Sequence, residues 1–439
     1  MSDQSLGVVL FDDPAIHASG WAMKQGGRVT RIQSTADLGA NTVWLTNLDY
    51  PHYGSSGLSR SPRFRGARFF RTSIKALLKE VGLYTAPPKE RLAFLMHLFP
   101  SVLRCAADLG VPVAPPETLA RGFRELTMGR RYGYQGAAEV REAIEHASQP
   151  YTFCESPPWT NGDRVLTVVR SRPAHCQDLL ARPVPNGTFR SVPLSRLPQD
   201  HASLVEYERP LLLRVRIDRF DTQLSGLLNH GAGALHVSRQ TDKGTLSTAN
   251  DRHWVSHPEF DLLRRHSDIE VIGALEADAY GANPFKPPAL TTRKRLSPAY
   301  GLACESYWSA AVRTLNGRID PSPLSVWMQA FDRVICLEGA LSILSRFPDA
   351  IIQHYGSGRI TLRVHDDGRY LSERLCYALA DSDWLPPIMR DQIHERFPVP
   401  EPPTPADILR VLAMRGRVDA LSEMDHALFT TQEAERGRN

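Results

Sequence analysis

Residues 326–364 read VWMQAFDRVICLEGALSILSRFPDAIIQHYGSGRITLRV, and two patterns follow one another in this stretch. Up to Phe347 the apolar residues recur at helical spacing, which predicts one long helix. The runs AIIQHY and RITLRV then predict two strands, joined by a tight turn at Gly356-Ser357-Gly358. This stretch therefore predicts a long helix followed by a β-hairpin.

The chain before this stretch also mixes strand and helix patterns. Short apolar runs alternate with turns near the start, and from Arg71 the period becomes helical, with a break or kink expected at Pro100. Strands are predicted over GVVLF, VTRI, TVWLTNLD, RVLTVV and PLLLRVRI, and helices over residues 71–81 and 89–109, after Pro115-Pro116, and over SYWSAAVRTL. This succession predicts an α/β fold of the α+β multidomain type.

Length and composition set broad limits on the class of protein. The 439 residues are enough for two or three domains, and 42% hydrophobic with 23% charged residues is typical of packed globular proteins. The 52 Lys and Arg residues exceed the 48 Asp and Glu residues by a formal charge of +4. This mild basic excess suits a phosphate backbone as a partner but does not require one.

The sequence contains none of the common metal or nucleotide motifs. The six cysteines form no CxxC pair and no zinc-spaced set with histidine, and HExxH, Walker A and GxGxxG are absent. The chain also has neither a secretion-type start nor an apolar run of about 18 residues. We therefore expect a cytoplasmic protein with reduced thiols, no structural zinc and no membrane partner.

Several stretches resemble segments of family B DNA polymerases of the small, protein-primed type, and they occur in the same order. FFRTSIKALLKEVGL and DLGVPVAPPETLARGFREL resemble segments of that family's exonuclease region, and Tyr134-Gln135-Gly136-Ala137 resembles its YxGG or YxGA linker. HWVSHPEFDLLRRHSDIEVIGALEADAY resembles part of its palm, SYWSAAVRTLNGRID its fingers helix, and residues 326–364 the helix and hairpin that carry its YxDTDS motif. In all, the resemblance covers residues 8–365.

The resemblance implies a domain order. It implies an RNase-H-like exonuclease-type domain over residues 1–130 and a polymerase palm and fingers domain over residues 131–385. A Pro-rich linker and a short thumb-like helical segment would follow over residues 386–439.

The carboxylates of polymerase chemistry are missing from the matching positions. Two aspartates on adjacent palm strands would hold two Mg²⁺ ions. Here Val168 stands at the first position, and Tyr355-Gly356-Ser357-Gly358-Arg359 replaces the YxDTDS motif at the second, so that Gly356 and Ser357 occupy the turn. We therefore expect no catalytic residues and no metal cofactor, since Arg359 would repel a divalent cation at short range.

The exonuclease motifs are also incomplete. Asp12-Asp13-Pro14 stands at the family's DxE motif and Asn47-Leu48-Asp49 at its second motif, but no acidic residue lies between Glu90 and Asp108, where a third is needed. We therefore expect Asp12 and Asp49 to be remnants without activity. The alternative, ordinary turn or surface carboxylates, stays open.

Aromatic and basic residues are the candidate nucleic-acid contacts. Tyr134 matches the linker tyrosine that stacks on or contacts single-stranded DNA, and Gly136 permits close approach of a nucleic-acid backbone. The further candidates are basic or polar residues in and near the fingers segment and the hairpin turn: Lys286, Arg293, Lys294, Arg295, Arg313, Asn316 and Arg359. We expect Tyr134 and the basic residues 293–295 and 313 to line one groove. The alternative for residues 293–295 is a solvated basic loop.

These observations predict a catalytically inactive, polymerase-like scaffold or accessory subunit of a replication, mobile-element or defence complex. Its partners would be single-stranded or primer-template DNA, or RNA, together with other proteins of the complex. One alternative is an active polymerase or exonuclease in which Mg²⁺ is held by displaced carboxylates such as Asp163, Asp366 and Asp367. A second alternative is a protein-interaction module that no longer binds DNA.

Overall fold

The structure is a computed structural model of the whole chain. It describes residues 5–48, 50–65, 74–81, 83–111, 137–148, 160–220, 237–240, 245–248, 253–291, 294, 297–315, 322–365, 379 and 382–385. These residues form a mixed α/β fold, which confirms the mixture of helices and strands that the sequence predicts.

The first sheet has five strands, ordered β3-β2-β1-β4-β5. Their bounds are β1 Ser5–Phe11, β2 Gly20–Lys24, β3 Thr30–Ile32, β4 Thr42–Thr46 and β5 Phe64–Arg65. The first three strands are antiparallel neighbours, whereas β4 runs parallel to β1 and β5 parallel to β4. The sequence prediction missed β2, which precedes a turn at Gly26-Gly27.

Three helices accompany this sheet, namely α1 Tyr50–Ser55, α2 Ile74–Glu80 and α3 Pro88–Asp108. Of the break or kink predicted at Pro100, the break is wrong, because α3 continues through the proline, and the kink stays a prediction. Phe99 and Val102 are buried on either side of the proline. Burial of such large side chains contributes about 1.5–3 kcal/mol each and offsets the cost of about 3 kcal/mol for an interior proline.

The second sheet has four strands, ordered β12-β9-β13-β8, and two short pairs lie beside it. The strands of this region are β7 Val184–Asn186, β8 Arg190–Ser191, β9 Leu211–Phe220, β10 Val237–Gln240, β11 Thr245–Thr248, β12 His253–Ser256, β13 Ser267–Glu276 and β14 Ala279–Gly281. Its helices are α4 Ala138–Ala147, α5 Arg172–Ala181, α6 His201–Val205 and α7 His257–Arg264. The elements β12, α7 and β13 follow one another within the stretch HWVSHPEFDLLRRHSDIEVIGALEADAY.

The third sheet, ordered β15-β16-β6-β17, positions the candidate site. Its strands are β6 Asp163–Arg170, β15 Ile351–Gly356, β16 Arg359–His365 and β17 Trp384–Leu385. The long helix α9 Pro323–Arg346 packs beside it and leads directly into the β15–β16 hairpin, and a second long helix, α8 Pro298–Leu315, packs against α9. The long helix and the hairpin predicted from residues 326–364 are therefore confirmed.

Two large apolar clusters hold these elements together. One joins residues of the first sheet and α3 to residues of α8 and the first half of α9, and α3 packs directly against α8. The other lies between the second and third sheets and the second half of α9. Within the described residues, no helix is long and apolar enough to span a membrane.

Candidate nucleic-acid site at the end of the third sheet

The structure brings together the two segments that the sequence aligns with the polymerase metal site. Strand β6 pairs with β16 so that Val169 lies opposite Arg359 and Val168 opposite Ile360. The backbone N–H of Arg170 donates to the carbonyl oxygen of Gly358 at 2.8 Å. The end of β6 and the 356–359 turn are thus direct neighbours.

A buried aspartate of α9 holds the turn. Asp332 accepts hydrogen bonds from the backbone N–H groups of Ser357 at 2.6 Å and Gly358 at 2.9 Å. These two residues have φ values of +58° and +68°. Two positive φ values in a two-residue hairpin turn are what the right-handed twist of the flanking strands favours. Ser357 adopts this conformation at some cost, and the Asp332 carboxylate offsets it.

Three arginines surround the cleft at this end of the sheet. Arg170 ends β6, Arg172 begins α5, and Arg359 begins β16. The cleft is lined by Val169, Arg170, Arg172, His175, Glu305, Trp308, Ser357, Gly358 and Arg359. Positive groups therefore dominate the walls at the position where the resemblance requires carboxylates.

Glu305 of α8 lies between two of these arginines. Its Oε2 accepts from Nε of Arg172 at 2.6 Å, and its Oε1 accepts from Nη2 of Arg359 at 2.7 Å. Burial alone would raise the pKa of Glu305, but the charges of Arg359 and Arg172 outweigh it and lower the pKa to about 2. The carboxylate is ionised and commits both oxygens to guanidinium groups.

His175 links the third arginine to the turn. Arg170 can only donate, so its contact of 3.3 Å with Nδ1 of His175 makes that nitrogen the acceptor. The proton of the neutral ring then lies on Nε2, which donates to Asp332 at 2.9 Å. Arg170 also pairs with Asp178 at 2.5 Å. One continuous polar chain therefore runs from the Arg170–Asp178 pair through His175 to the hairpin turn.

This arrangement does not fit a pair of divalent cations. A two-metal site needs carboxylate oxygens that face the ions. Both oxygens of Glu305 already accept from arginines, and both oxygens of Asp332 accept from the turn. The guanidinium groups of the lining would also repel a cation over a few ångströms.

The aligned valine belongs to the core and not to the cleft. Val168 is fully buried within the cluster between the second and third sheets, while its neighbour Val169 lines the cleft. Successive side chains of a strand point to opposite faces, so Val168 packs in the core and Val169 faces the cleft.

Asp163, one of the displaced carboxylates of the enzyme alternative, lies at the far end of the sheet. Asp163 begins β6 opposite His365, seven residues before Arg170. At a rise of about 3.3 Å per residue the separation is roughly 23 Å. Asp163 accepts from the N–H and hydroxyl of Thr160, and these bonds lower its pKa. Asp366 and Asp367 lie outside the described residues.

The candidate exonuclease carboxylate is paired with a cation. Asp12, just after β1, accepts two hydrogen bonds from Arg31 at 2.8 and 2.6 Å and one from Ser19 at 2.7 Å. The bond from Arg31 is the main reason why the pKa of Asp12 is lowered. Asn47 is bonded to both backbone groups of Phe11, so the first and second motifs lie side by side. Asp49 lies outside the described residues.

The basic candidates near the fingers segment are described only in part. Lys286 is exposed, and its backbone contacts the hydroxyl of Tyr307 on α8. Lys294 places its ammonium 5.0 Å from the centre of the Tyr300 ring. Arg313 lies in the last turn of α8. The remaining candidates, Tyr134, Gly136, Arg293, Arg295 and Asn316, lie outside the described residues, and the groove they were predicted to line stays a prediction.

Sequence reasoning missed most of the charged network. It named Arg359 but not Arg170, Arg172, Glu305 or Asp332. A signal was present, because Glu305 is the one charged residue in the otherwise uncharged run 299–312 of a helical segment. A lone charge on a buried helix must be paired, and it therefore indicates a partner elsewhere in the chain.

Comparisons with known proteins give matches at the level of structure. No protein-family model matches the sequence, and no curated protein matches it. The structure is similar to that of Phi29 DNA polymerase complexed with primer-template DNA, with a TM-score of 0.42, 12% identity, and coverage of 82% of this chain and 80% of that one. It is also similar to the family B DNA polymerase of the hyperthermophilic archaeon Pyrobaculum calidifontis, with a TM-score of 0.29, 11% identity, and coverage of 98% and 65%. Both of these solved structures are DNA polymerases.

Proposed function

We propose that this chain is a polymerase-like protein that binds nucleic acid and does not transfer nucleotides at its palm-like site. One observation carries the proposal. The end of β6 and the 356–359 turn are neighbours, as a palm requires, yet they carry Arg170, Arg172 and Arg359 around a committed Glu305. Binding without transfer is the chemistry of an accessory subunit.

The topology of the first sheet supports the proposed domain order. The order β3-β2-β1-β4-β5, with β4 and β5 parallel to β1, is what an RNase-H-like domain over residues 1–130 would have. Its Asp12 is neutralised by Arg31, which supports loss of exonuclease activity. The palm and fingers over residues 131–385 and the thumb-like segment over 386–439 complete the proposal.

Arginine suits the proposed ligand. A guanidinium group can donate two parallel hydrogen bonds to one phosphate, and carboxylate partners hold it in position. Contacts of this kind release counterions and therefore make binding weaken with salt. The proposed ligand is single-stranded or primer-template DNA. RNA is tested beside it as a further candidate ligand.

Fluorescence anisotropy and primer extension test the proposal together. Labelled single-stranded, primer-template and RNA oligonucleotides are titrated with the protein in MgCl₂ or in EDTA at several salt concentrations, and extension is assayed with all nucleotides in Mg²⁺ or Mn²⁺. We expect salt-sensitive binding that EDTA leaves unchanged, and no extension. Extension that Asp366→Ala abolishes would establish the enzyme alternative, and absence of binding would favour the protein-interaction module.

A matched pair of variants locates the binding. Arg170→Gln removes a guanidinium group from the cleft, whereas Arg265→Gln removes one from an exposed pair with Glu338 on α9. We expect the first variant to lower the affinity and to reduce the salt slope by about one unit, and the second to leave both unchanged. Equal behaviour of the two variants would move the contact away from the cleft.

A further inference from the structure

We propose that His17 and His52 form a binding site for one borderline transition-metal ion such as Zn²⁺. The site lies beside the first sheet and is independent of the proposed function. Nδ1 of His17 lies 2.9 Å from Nε2 of His52, and the ring centres are 5.1 Å apart with planes tilted by 32°. Neutral imidazole nitrogen is a preferred ligand for Zn²⁺, Cu²⁺ and Ni²⁺.

The 2.9 Å contact is a hydrogen bond in which one ring donates an N–H to the other, and a bound ion would take the place of that proton. Two ligands at about 2.0–2.1 Å from a tetrahedral Zn²⁺ are roughly 3.3–3.4 Å apart. The observed pair needs to open by only a few tenths of an ångström. Both rings can remain neutral if each carries its proton on the nitrogen that faces away from the ion.

The backbone holds both histidines in place. His17 lies in the turn after β1, which is closed by bonds from Asp12 N–H to the Ser19 carbonyl at 3.1 Å and from Ile16 N–H to the Asp13 carbonyl at 3.0 Å. The carbonyl of His52 in α1 accepts from the N–H of Ser56 at 2.9 Å and from the hydroxyl of Ser55 at 3.2 Å. Because these hydrogen bonds hold both segments, the two histidines lose little conformational entropy when they bind an ion.

The accessibility of the pair fits an open site. Both histidines are half-buried, so the ion can reach them and water can complete its coordination. The proposed site uses the two histidines as its protein ligands and water at the remaining positions. Mg²⁺, which prefers oxygen ligands, should not compete.

Titration of the tag-free, EDTA-treated full chain with ZnCl₂ by isothermal calorimetry tests the site. We expect saturable binding of one ion, unaffected by excess MgCl₂. His17→Gln and His52→Gln should each raise the Kd at least about tenfold. The matched control is His365→Gln. His365 is 59% exposed and lies 3.4 Å from Asp163, at the end of the third sheet where the enzyme alternative would place a metal ion. His52→Cys should keep the zinc binding that His52→Gln loses, since a thiolate also ligates zinc.

Electron paramagnetic resonance of the unmutated protein with one equivalent of Cu²⁺ gives a test that does not depend on variants. We expect hyperfine structure from two imidazole nitrogens. Fewer than two nitrogens, an absence of saturable zinc binding, or unchanged binding in both glutamine variants would overturn the proposal. Loss of binding in His365→Gln alone would also overturn the proposal, because it would place the zinc site beside Asp163 on the third sheet.

Discussion

Arg359, at the turn of the last hairpin, donates to Oε1 of Glu305 on α8 at 2.7 Å, and this contact ties the end of the third sheet to a helix that also packs on α3. Glu305 is 3% exposed and shares its other oxygen with Arg172. A buried carboxylate between two guanidinium groups fixes three segments at once. Glu305 therefore links three segments of the fold, and its oxygens are already occupied by arginines and do not serve a metal ion.

Removal of the Glu305 charge should destabilise the protein strongly. Glu305→Gln removes the buried carboxylate that Arg172 and Arg359 share, and loss of one partner of such a cluster costs about 3–5 kcal/mol. The matched control is Glu338→Gln, which removes the carboxylate of an exposed pair with Arg265 and should cost less than about 1 kcal/mol. Thermal and urea unfolding measure both. Equal losses of stability in the two variants would show that Glu305 does not link these segments.

The stabilisation from Glu305 should depend on pH in the acid range. The folded-state pKa of about 2 lies below the ordinary value of 4.5, so the stabilisation is complete above about pH 4.5 and is lost as the pH falls towards 2. We therefore expect the difference in melting temperature between the parent and Glu305→Gln to be constant from pH 7 to 5 and to shrink below pH 4.5. A difference that stays constant down to pH 2.5 would contradict the ion-pair network.

Gly358 should tolerate substitution less well than Gly26. Both have similar positive φ values, +68° and +70°, so alanine costs about 1–2 kcal/mol from backbone strain at either position. A Cβ at Gly358 would lie 3.1 Å from the His175 ring, whereas a Cβ at Gly26 would meet nothing within 4 Å. We expect Gly358→Ala to lower the melting temperature more than Gly26→Ala does. Equal shifts would mean that His175 moves aside without cost.

The linker tyrosine and the basic loop should contribute to nucleic-acid binding in different ways. Stacking on Tyr134 would contribute about 1–3 kcal/mol per base without counterion release, so Tyr134→Ala should weaken single-strand binding with little change in salt slope. Triple alanine replacement at residues 293–295 should reduce the slope by roughly one unit for each phosphate that the variant no longer neutralises. Anisotropy at several salt concentrations separates the two effects. If both variants bind like the parent, the predicted groove is wrong.

Local patterns were sufficient for much of the fold. The helical period and the Gly356-Ser357-Gly358 turn predicted α9 and the β15–β16 hairpin, because helix periodicity and positive φ values depend on residues close in sequence. Local rules were insufficient at Pro100, where the proline signal predicted a break or kink and α3 continues as one helix. There the burial of neighbouring side chains decided the outcome, and burial depends on distant segments.

The sequence by itself predicted the long helix α9, the β15–β16 hairpin and a Gly356-Ser357-Gly358 turn that carries no aspartate. Only the tertiary structure decided which charged residues surround that turn. Glu305 meets Arg172 across 133 residues of sequence and Arg359 across 54. No local pattern encodes these pairings, because they form only when α8 packs against the end of the sheet and removes the three charges from water.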